Sequence, residues 1–322
     1  MQVVRRAMTT IVAGAALTSA AAGPAAAAVS KPGASTGAAT QVTFQSATLR
    51  GAVNPHGAAT TYSFQYGATA AYGGTTAPQS AGAGTTAKRV GAPVAGLAPA
   101  TTYHVRIVAT NAAGTTVGAD RTLTTSRQPL ALTVAATPNP VPFGSAATIG
   151  GTLAGTGGGN RQVVLQQRPF PYTGGFAQVG NPQLTSPAGA FSFPGVPIAL
   201  TTQFRVLSPG RPTLTSPIVT TGVSVRVSTI VRKRRLRRGT LVRFSGLVRP
   251  SRDAAQVGVQ RLTKDGRWVT FAGTIAHHAS ATASRYAKTV RIRHSGSYRI
   301  YVLVDDGRYV SGVGRTVKLT LR

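Results

Sequence analysis

The 322-residue chain has no cysteine, no glutamate and only five aspartates: Asp120, Asp253, Asp265, Asp305 and Asp306. Without cysteine there is no disulfide, no thiolate metal ligand and no thiol nucleophile, so the fold must hold by packing alone. So few carboxylates leave hardly any pairs for proton transfer or for a calcium site, which needs many oxygen ligands. His277 and His278 are adjacent, so in a strand they point to opposite faces and are poorly placed to share one ion. Asp265-Gly266 and Asp305-Asp306-Gly307 read as hairpin turns, where glycine supplies a positive φ and aspartate bonds the turn backbone. Neither a G-x-S-x-G elbow nor a phosphate loop occurs. Apolar residues at a 3.6-residue period are missing past the first 28 positions. The expectation is a non-enzyme with no cofactor, no metal site and no small-molecule substrate.

What is present is positive charge, glycine and proline. The formal charge is +30, with 38 Gly and 20 Pro spread along the chain, a pattern that suits many short strands joined by turns. The length suits three sandwiches of about 100 residues each. At the N-terminus, Arg5 and Arg6 precede an apolar stretch from Ile11 to Ala22, and Ala26-Ala27-Ala28 precedes Val29; together these read as an export signal over residues 1–28. The apolar stretch is shorter than the ~20 residues of a spanning helix. The expectation is therefore a secreted, extracellular chain, cell-surface associated without a transmembrane segment in its mature form. Residues 29–40, rich in Ala, Gly, Ser and Thr, read as a flexible linker.

The most informative stretch runs from Leu97 to Gly114. A Pro99 turn leads into a strand in which Tyr103, Val105, Ile107 and Ala109 alternate with more polar neighbours, and the strand stops at Asn111-Ala112-Ala113-Gly114. Leu97, Pro99, Thr101, Tyr103, Val105, Asn111 and Gly114 resemble the signature of fibronectin type III domains. The resemblance implies a sandwich over residues 41–127, with Tyr103 as a tyrosine corner.

After that, residues 128–222 and 223–322 look like two copies of one unit. Val141 to Leu153 matches Leu236 to Val248 without a gap, Val163-Val164-Leu165-Gln166 matches Val257-Gly258-Val259-Gln260, and Gln203-Phe204-Arg205-Val206 matches Ser297-Tyr298-Arg299-Ile300. The P-x-G-S/T-x-x-T-x-x-G-T-L opening and the Y/F-R-V strand resemble bacterial immunoglobulin-like repeats. The fold class expected is thus all-β: three tandem immunoglobulin-like β-sandwiches after a cleaved signal, rigid enough to act as a spacer.

Charge singles out the last unit, which holds 22 basic residues against four Asp, a net +18. Arg232, Lys233, Arg234, Arg235, Arg237 and Arg238 form a run. Beyond it, Arg243 and Arg249 oppose Val242, Phe244 and Val248, while Arg291 and Arg293 oppose Val290 and Ile292. These ten residues are expected to form one basic sheet face that binds a polyanion through summed potential and counterion release. Candidate partners are an anionic cell-wall polymer, an acidic polysaccharide or extracellular DNA. Trp268 raises a different prospect, a carbohydrate-binding module, although its counterpart region, at Phe176, points to packing.

Overall fold

The computed structural model describes residues 29–322; the export signal expected over 1–28 lies outside them. The protein is all-β, and no helix occurs among the described residues. It divides into two compact units, Met1–Ser126 and Arg127–Arg322.

The first unit runs β1 (Gly33–Thr36), β2 (Ser46–Asn54), β3 (Thr60–Gly67), β4 (Gly74–Thr75) and β5 (Gln79–Gly82). It continues with β6 (Lys88–Ala95), β7 (Thr102–Asn111), β8 (Gly114–Val117) and β9 (Arg121–Thr124). One sheet has the order β1-β2-β6, and the other β4-β3-β7-β8 with β5 on β3 and β9 on β7. Alternation along each strand sends one face inward, and Leu49, Val53, Phe64, Ile107 and Ala109 meet between the sheets with no exposure. The Ala98 amide donates to the Tyr103 hydroxyl at 2.8 Å, tying the loop before β7 to its strand.

Residues 29–40 are not a free linker. Gly33–Thr36 pair antiparallel with Gly51–Asn54. Thr36 is buried, and its hydroxyl accepts the Ile107 amide at 3.2 Å. Asn111 Nδ2 donates to the Ser30 carbonyl at 2.9 Å. Small side chains let this segment dock through its backbone, so the absence of an apolar alternation hid a strand.

The second unit begins with β10 (Ala131–Leu132), β11 (Ala135–Thr137), β12 (Val141–Pro142), β13 (Ala146–Ala154), β14 (Gln162–Pro169) and β15 (Ala177–Gln178). Next come β16 (Gln183–Leu184), β17 (Ala190–Pro197), β18 (Thr202–Ser208), β19 (Leu214–Thr215) and β20 (Val219–Thr221). It goes on through β21 (Val223–Ser224), β22 (Arg226–Val227), β23 (Arg235–Leu236), β24 (Leu241–Arg249), β25 (Gln256–Leu262) and β26 (Trp268–Ile275). The last strands are β27 (His277–Ser280), β28 (Ala283–Arg291), β29 (Gly296–Asp305), β30 (Val310–Val313) and β31 (Val317–Leu321). Strands β10, β13, β11 and β17 form one sheet and β14 to β16 with β18 to β20 its partner. The order β22-β24-β28-β27 forms a third sheet, facing β12-β21-β30-β29-β25-β26, to which β31 and β23 attach.

Strand β21 binds the unit together. It pairs parallel with β12 on one side and, at Ser224, with β30 on the other. Around this seam the Phe143 and Tyr309 rings lie edge to face at 5.9 Å, and Arg252 stacks on Tyr309 at 4.1 Å. The Thr201 amide and hydroxyl both donate to the Arg308 carbonyl at 3.0 Å. One continuous apolar cluster runs from Leu132 to Leu319.

Candidate basic interface

The site is built on β24 and β28. In β24, Val242, Phe244 and Val248 are buried, so Arg243 and Arg249 face outward; in β28, Tyr286 and Val290 are buried, so Arg285 and Arg291 do. Antiparallel partners share a face. Leu241 stands opposite Arg291, Arg243 opposite Thr289 and Leu247 opposite Arg285. Arg249 stands opposite Arg226 of β22, and His277 of β27 opposite Arg285. The outer face of this sheet therefore carries Arg226, Arg243, Arg249, Arg285 and Arg291. A Cβ on Gly246 would collide with the Ser228 carbonyl, so only glycine lets the chain before the basic run lie this close on β24.

The basic run does not lie on that face as one piece. Ile230 still bridges Ser245 of β24, but Arg235 and Leu236 pair parallel with Thr320 and Leu321 of β31, in the opposite sheet. Leu236 is buried there, and anchoring it carries Arg234 and Arg235 away. The cause lies in the repeat itself: β12, the counterpart of β23, likewise crosses to run parallel with β21. Arg232 and Lys233 remain beside Arg243, lining a depression of about 270 Å³ with Thr240 and Leu241. Arg237 and Arg238 occupy the turn into β24, which Arg291 braces by donating Nη1–H to the Gly239 carbonyl at 3.2 Å. Arg293, just past β28, lies at the end of the sandwich with Arg238, Arg261, Lys264 and His294. The ten residues singled out from sequence thus fall into a sheet face, a crossing segment and a sandwich end.

None of these cations is neutralised by a side-chain carboxylate. The four ion pairs among the described residues join Asp120 to His104, Asp306 to Arg252, Asp265 to Arg267 and Asp253 to His278. The aspartates are held by their own local bonds. Asp253 accepts from Ser284 and sits 3.1 Å from His278 Nδ1, and these bonds, Ser284 first, hold its carboxyl below the usual range. Thr263 and then Arg267 do the same for Asp265. Asp306 Oδ1 accepts the Arg308 and Tyr309 amides at 3.0 and 2.8 Å, closing a turn with Gly307 at φ 70°. In the first unit Asp120 accepts from Tyr72 and pairs with His104, both at 2.7 Å, which lowers its pKa, His104 first, and raises that of Tyr72. No cluster of three His, Cys, Asp or Glu suited to a metal occurs among the described residues.

Trp268 is half-buried, with the Arg299 guanidinium 4.2 Å from its ring centroid. Arg299 in turn donates Nε–H to Gln260 at 2.8 Å. Phe176, its counterpart in the repeat, lies under Arg168 and Arg205 at 4.7 and 4.2 Å. The indole face that a sugar would need is occupied on that side by Arg299. The composition offered no sign of Arg226, Arg261, Lys264 or His294 as members of the basic surface, but Arg285 was legible: it falls on the same side of β28 as Arg291.

No protein-family model matches the chain, and no curated protein matches it. Among solved structures, a tetra-tandem repeat from the extending region of a large adhesion protein is similar at 13% identity and TM-score 0.28, covering 90% of this chain and 75% of that one. Chicken CNTN1 FN1–FN3 domains align at 15% identity and TM-score 0.28, covering 91% of this chain and 99% of that one. TM-scores this low leave the fold to be read from this chain's own strands.

Proposed function

We propose that the chain is a non-catalytic, secreted structural or adhesive protein of three sandwiches (41–127, 128–222 and 223–322), the last of which docks on an anionic envelope or matrix polymer. The observation that carries this reading is the sheet face bearing Arg226, Arg243, Arg249, Arg285 and Arg291 with no carboxylate paired to any of them. Arg226 and Arg249 stand directly opposite each other, an arrangement that destabilises a free sheet. A polyanion laid across the face relieves that repulsion and releases its own counterions.

The test is retention of the full chain on purified cell envelope across a salt series, against a variant with Arg243, Arg249 and Arg291 changed to Ser. Binding that weakens steeply with salt, and with a shallower slope in the variant, supports an electrostatic anchor. Equal retention of both proteins refutes it. Added duplex DNA that displaces the chain from envelope at equal phosphate concentration identifies nucleic acid as the stronger partner instead.

A further inference from the structure

At the end of the last sandwich a depression of about 250 Å³ opens between β26 and the part of β28 that β27 does not cover. Arg261, Arg291, Arg293 and His294 surround it, and Phe271 and Tyr298 supply its apolar wall. A second depression adjoins it, sharing Arg261, Arg293 and His294 and adding Arg238 and Lys264. Five cationic side chains therefore converge on one end of the sandwich, and none of them is among the ion pairs of the described residues.

The aromatic wall is placed by a defect in the sheet. Along β25 and β26, Val259 pairs with Ala272 but Gln260 pairs with Thr270, so Phe271 is the extra residue of a β-bulge. A bulge re-aims the side chain it carries. Here Phe271, still 45% exposed, lies edge-on to Tyr298 at 5.8 Å. The Tyr298 hydroxyl is already committed, donating to the His294 carbonyl at 2.7 Å, so the wall offers carbon surface and no free hydroxyl from Tyr298.

Guanidinium groups match oxyanions by paired N–H donors, and an exposed aromatic ring favours a flat, C–H-rich face. The volume is just under the ~300–1,000 Å³ usual for drug-sized ligands, which suits a monosaccharide-sized unit. We infer that this depression takes a sugar ring bearing a sulfate or phosphate group, with the oxyanion among Arg261, Arg291 and Arg293 and the ring against Phe271. The inference rests on the polyanion reading above and sharpens it: the polymer is an anionic glycan recognised unit by unit, where a bare string of phosphates would meet charge alone.

The probes are dextran sulfate oligosaccharides, neutral dextran and linear polyphosphate matched to the dextran sulfate in charge, titrated into the full-length protein by calorimetry at fixed salt. The wild type is expected to prefer dextran sulfate to polyphosphate and to ignore dextran. Phe271→Ala should lose about five- to tenfold on dextran sulfate while polyphosphate stays within about twofold, since only the ring contact is removed. Phe271→Tyr should keep the preference, and Arg261→Ser with Arg293→Ser should weaken both probes. Equal affinity of the wild type for the two matched polyanions overturns the sugar-ring inference and leaves the electrostatic anchor standing, a result that needs no variant to fold. Failure of both polyanions to bind overturns both readings.

Discussion

Arg205 stands directly across from Gln166 in paired strands, donates Nε–H to it at 2.9 Å and lies 4.2 Å from the Phe176 ring centroid. The same trio recurs on two further strand pairs, β3 with β7 and β25 with β29. Arg106 faces Gln65, bonds it at 2.7 Å and covers Tyr72 at 4.3 Å; Arg299 faces Gln260, bonds it at 2.8 Å and covers Trp268 at 4.2 Å. Every sandwich thus seals the outer surface of its central strand pair with an arginine held flat by a glutamine below an aromatic ring. Burial lowers the pKa of Arg299, a sign that the guanidinium is partly desolvated. These arginines are structural, in contrast to the open ones on β24 and β28.

Replacing Arg205 by Lys should therefore destabilise the protein although charge is conserved. Lysine keeps an ammonium near Phe176 but loses the planar fork that bonds glutamine and stacks at once. A cost of about 1–2 kcal/mol is expected from the lost hydrogen bond and the weaker stacking. Thermal denaturation checks this, with Arg211→Lys, an exposed change, as the comparison that should leave the melting temperature unmoved.

The seam at Tyr309 predicts that the two sandwiches of the second unit do not unfold independently. Phe143 belongs to the earlier sandwich and packs on Tyr309 of the later one, within a single apolar cluster. Trp268, the lone tryptophan, reports on the later sandwich. Phe143→Ala should lower the denaturation midpoint seen by Trp268 fluorescence, at a cost of about 2 kcal/mol for a partly buried ring. An unchanged Trp268 midpoint would mean that the sandwiches melt separately.

How much of this was legible in the sequence depended on what each residue had to do. Period-two alternation located β7 and β24 because half-buried strands need it, and Tyr103 stood out because its hydroxyl closes a corner against the Ala98 amide. Tyr298 closes a similar corner onto the His294 carbonyl, four residues upstream; the repeat match marked its strand but not this bond. Three other features escaped. Strand β1 is held by backbone pairing and by the buried Thr36 hydroxyl, so small polar residues gave no apolar period to read. The crossing of Arg234 and Arg235 to the opposite sheet depends on which strand edge receives Leu236, a tertiary choice. Its counterpart Val141 shows that the repeat alignment held the clue, since both open their units by crossing over. The depression beside Phe271 depends on a one-residue bulge, which composition does not report.

The two hydroxyl corners give a matched pair of predictions. Tyr298→Phe removes a donor from a buried ring, leaving the His294 carbonyl without it, and should cost about 1 kcal/mol. Tyr103→Phe frees the Ala98 amide in a more exposed loop, where water replaces the lost partner, and should cost less. Chemical denaturation of both variants checks the order; a larger loss for Tyr103 would show that the first-unit corner carries more of the fold than its exposure implies.

Dependence on pH should be confined to acid and should be shallow. Asp120, Asp253 and Asp265 all have carboxyls held below the ordinary value by local hydrogen bonds. Because the folded pKa is the lower one, their contribution is fully present above the unfolded pKa of about 4 and is lost as pH falls through the folded values. With five carboxylate side chains in the whole chain, few protons are taken up on acid unfolding, and the slope of stability against pH stays small. Asp253→Asn should flatten the acid limb further, since Ser284 and His278 then face an amide that does not titrate. Denaturation midpoints measured from pH 7 down to pH 2 at fixed ionic strength test this. Fixed ionic strength matters because the +30 chain repels itself, and added salt alone should raise every midpoint by screening. A steep loss between pH 7 and 5 would contradict the assignment, because no aspartate held in this way titrates there.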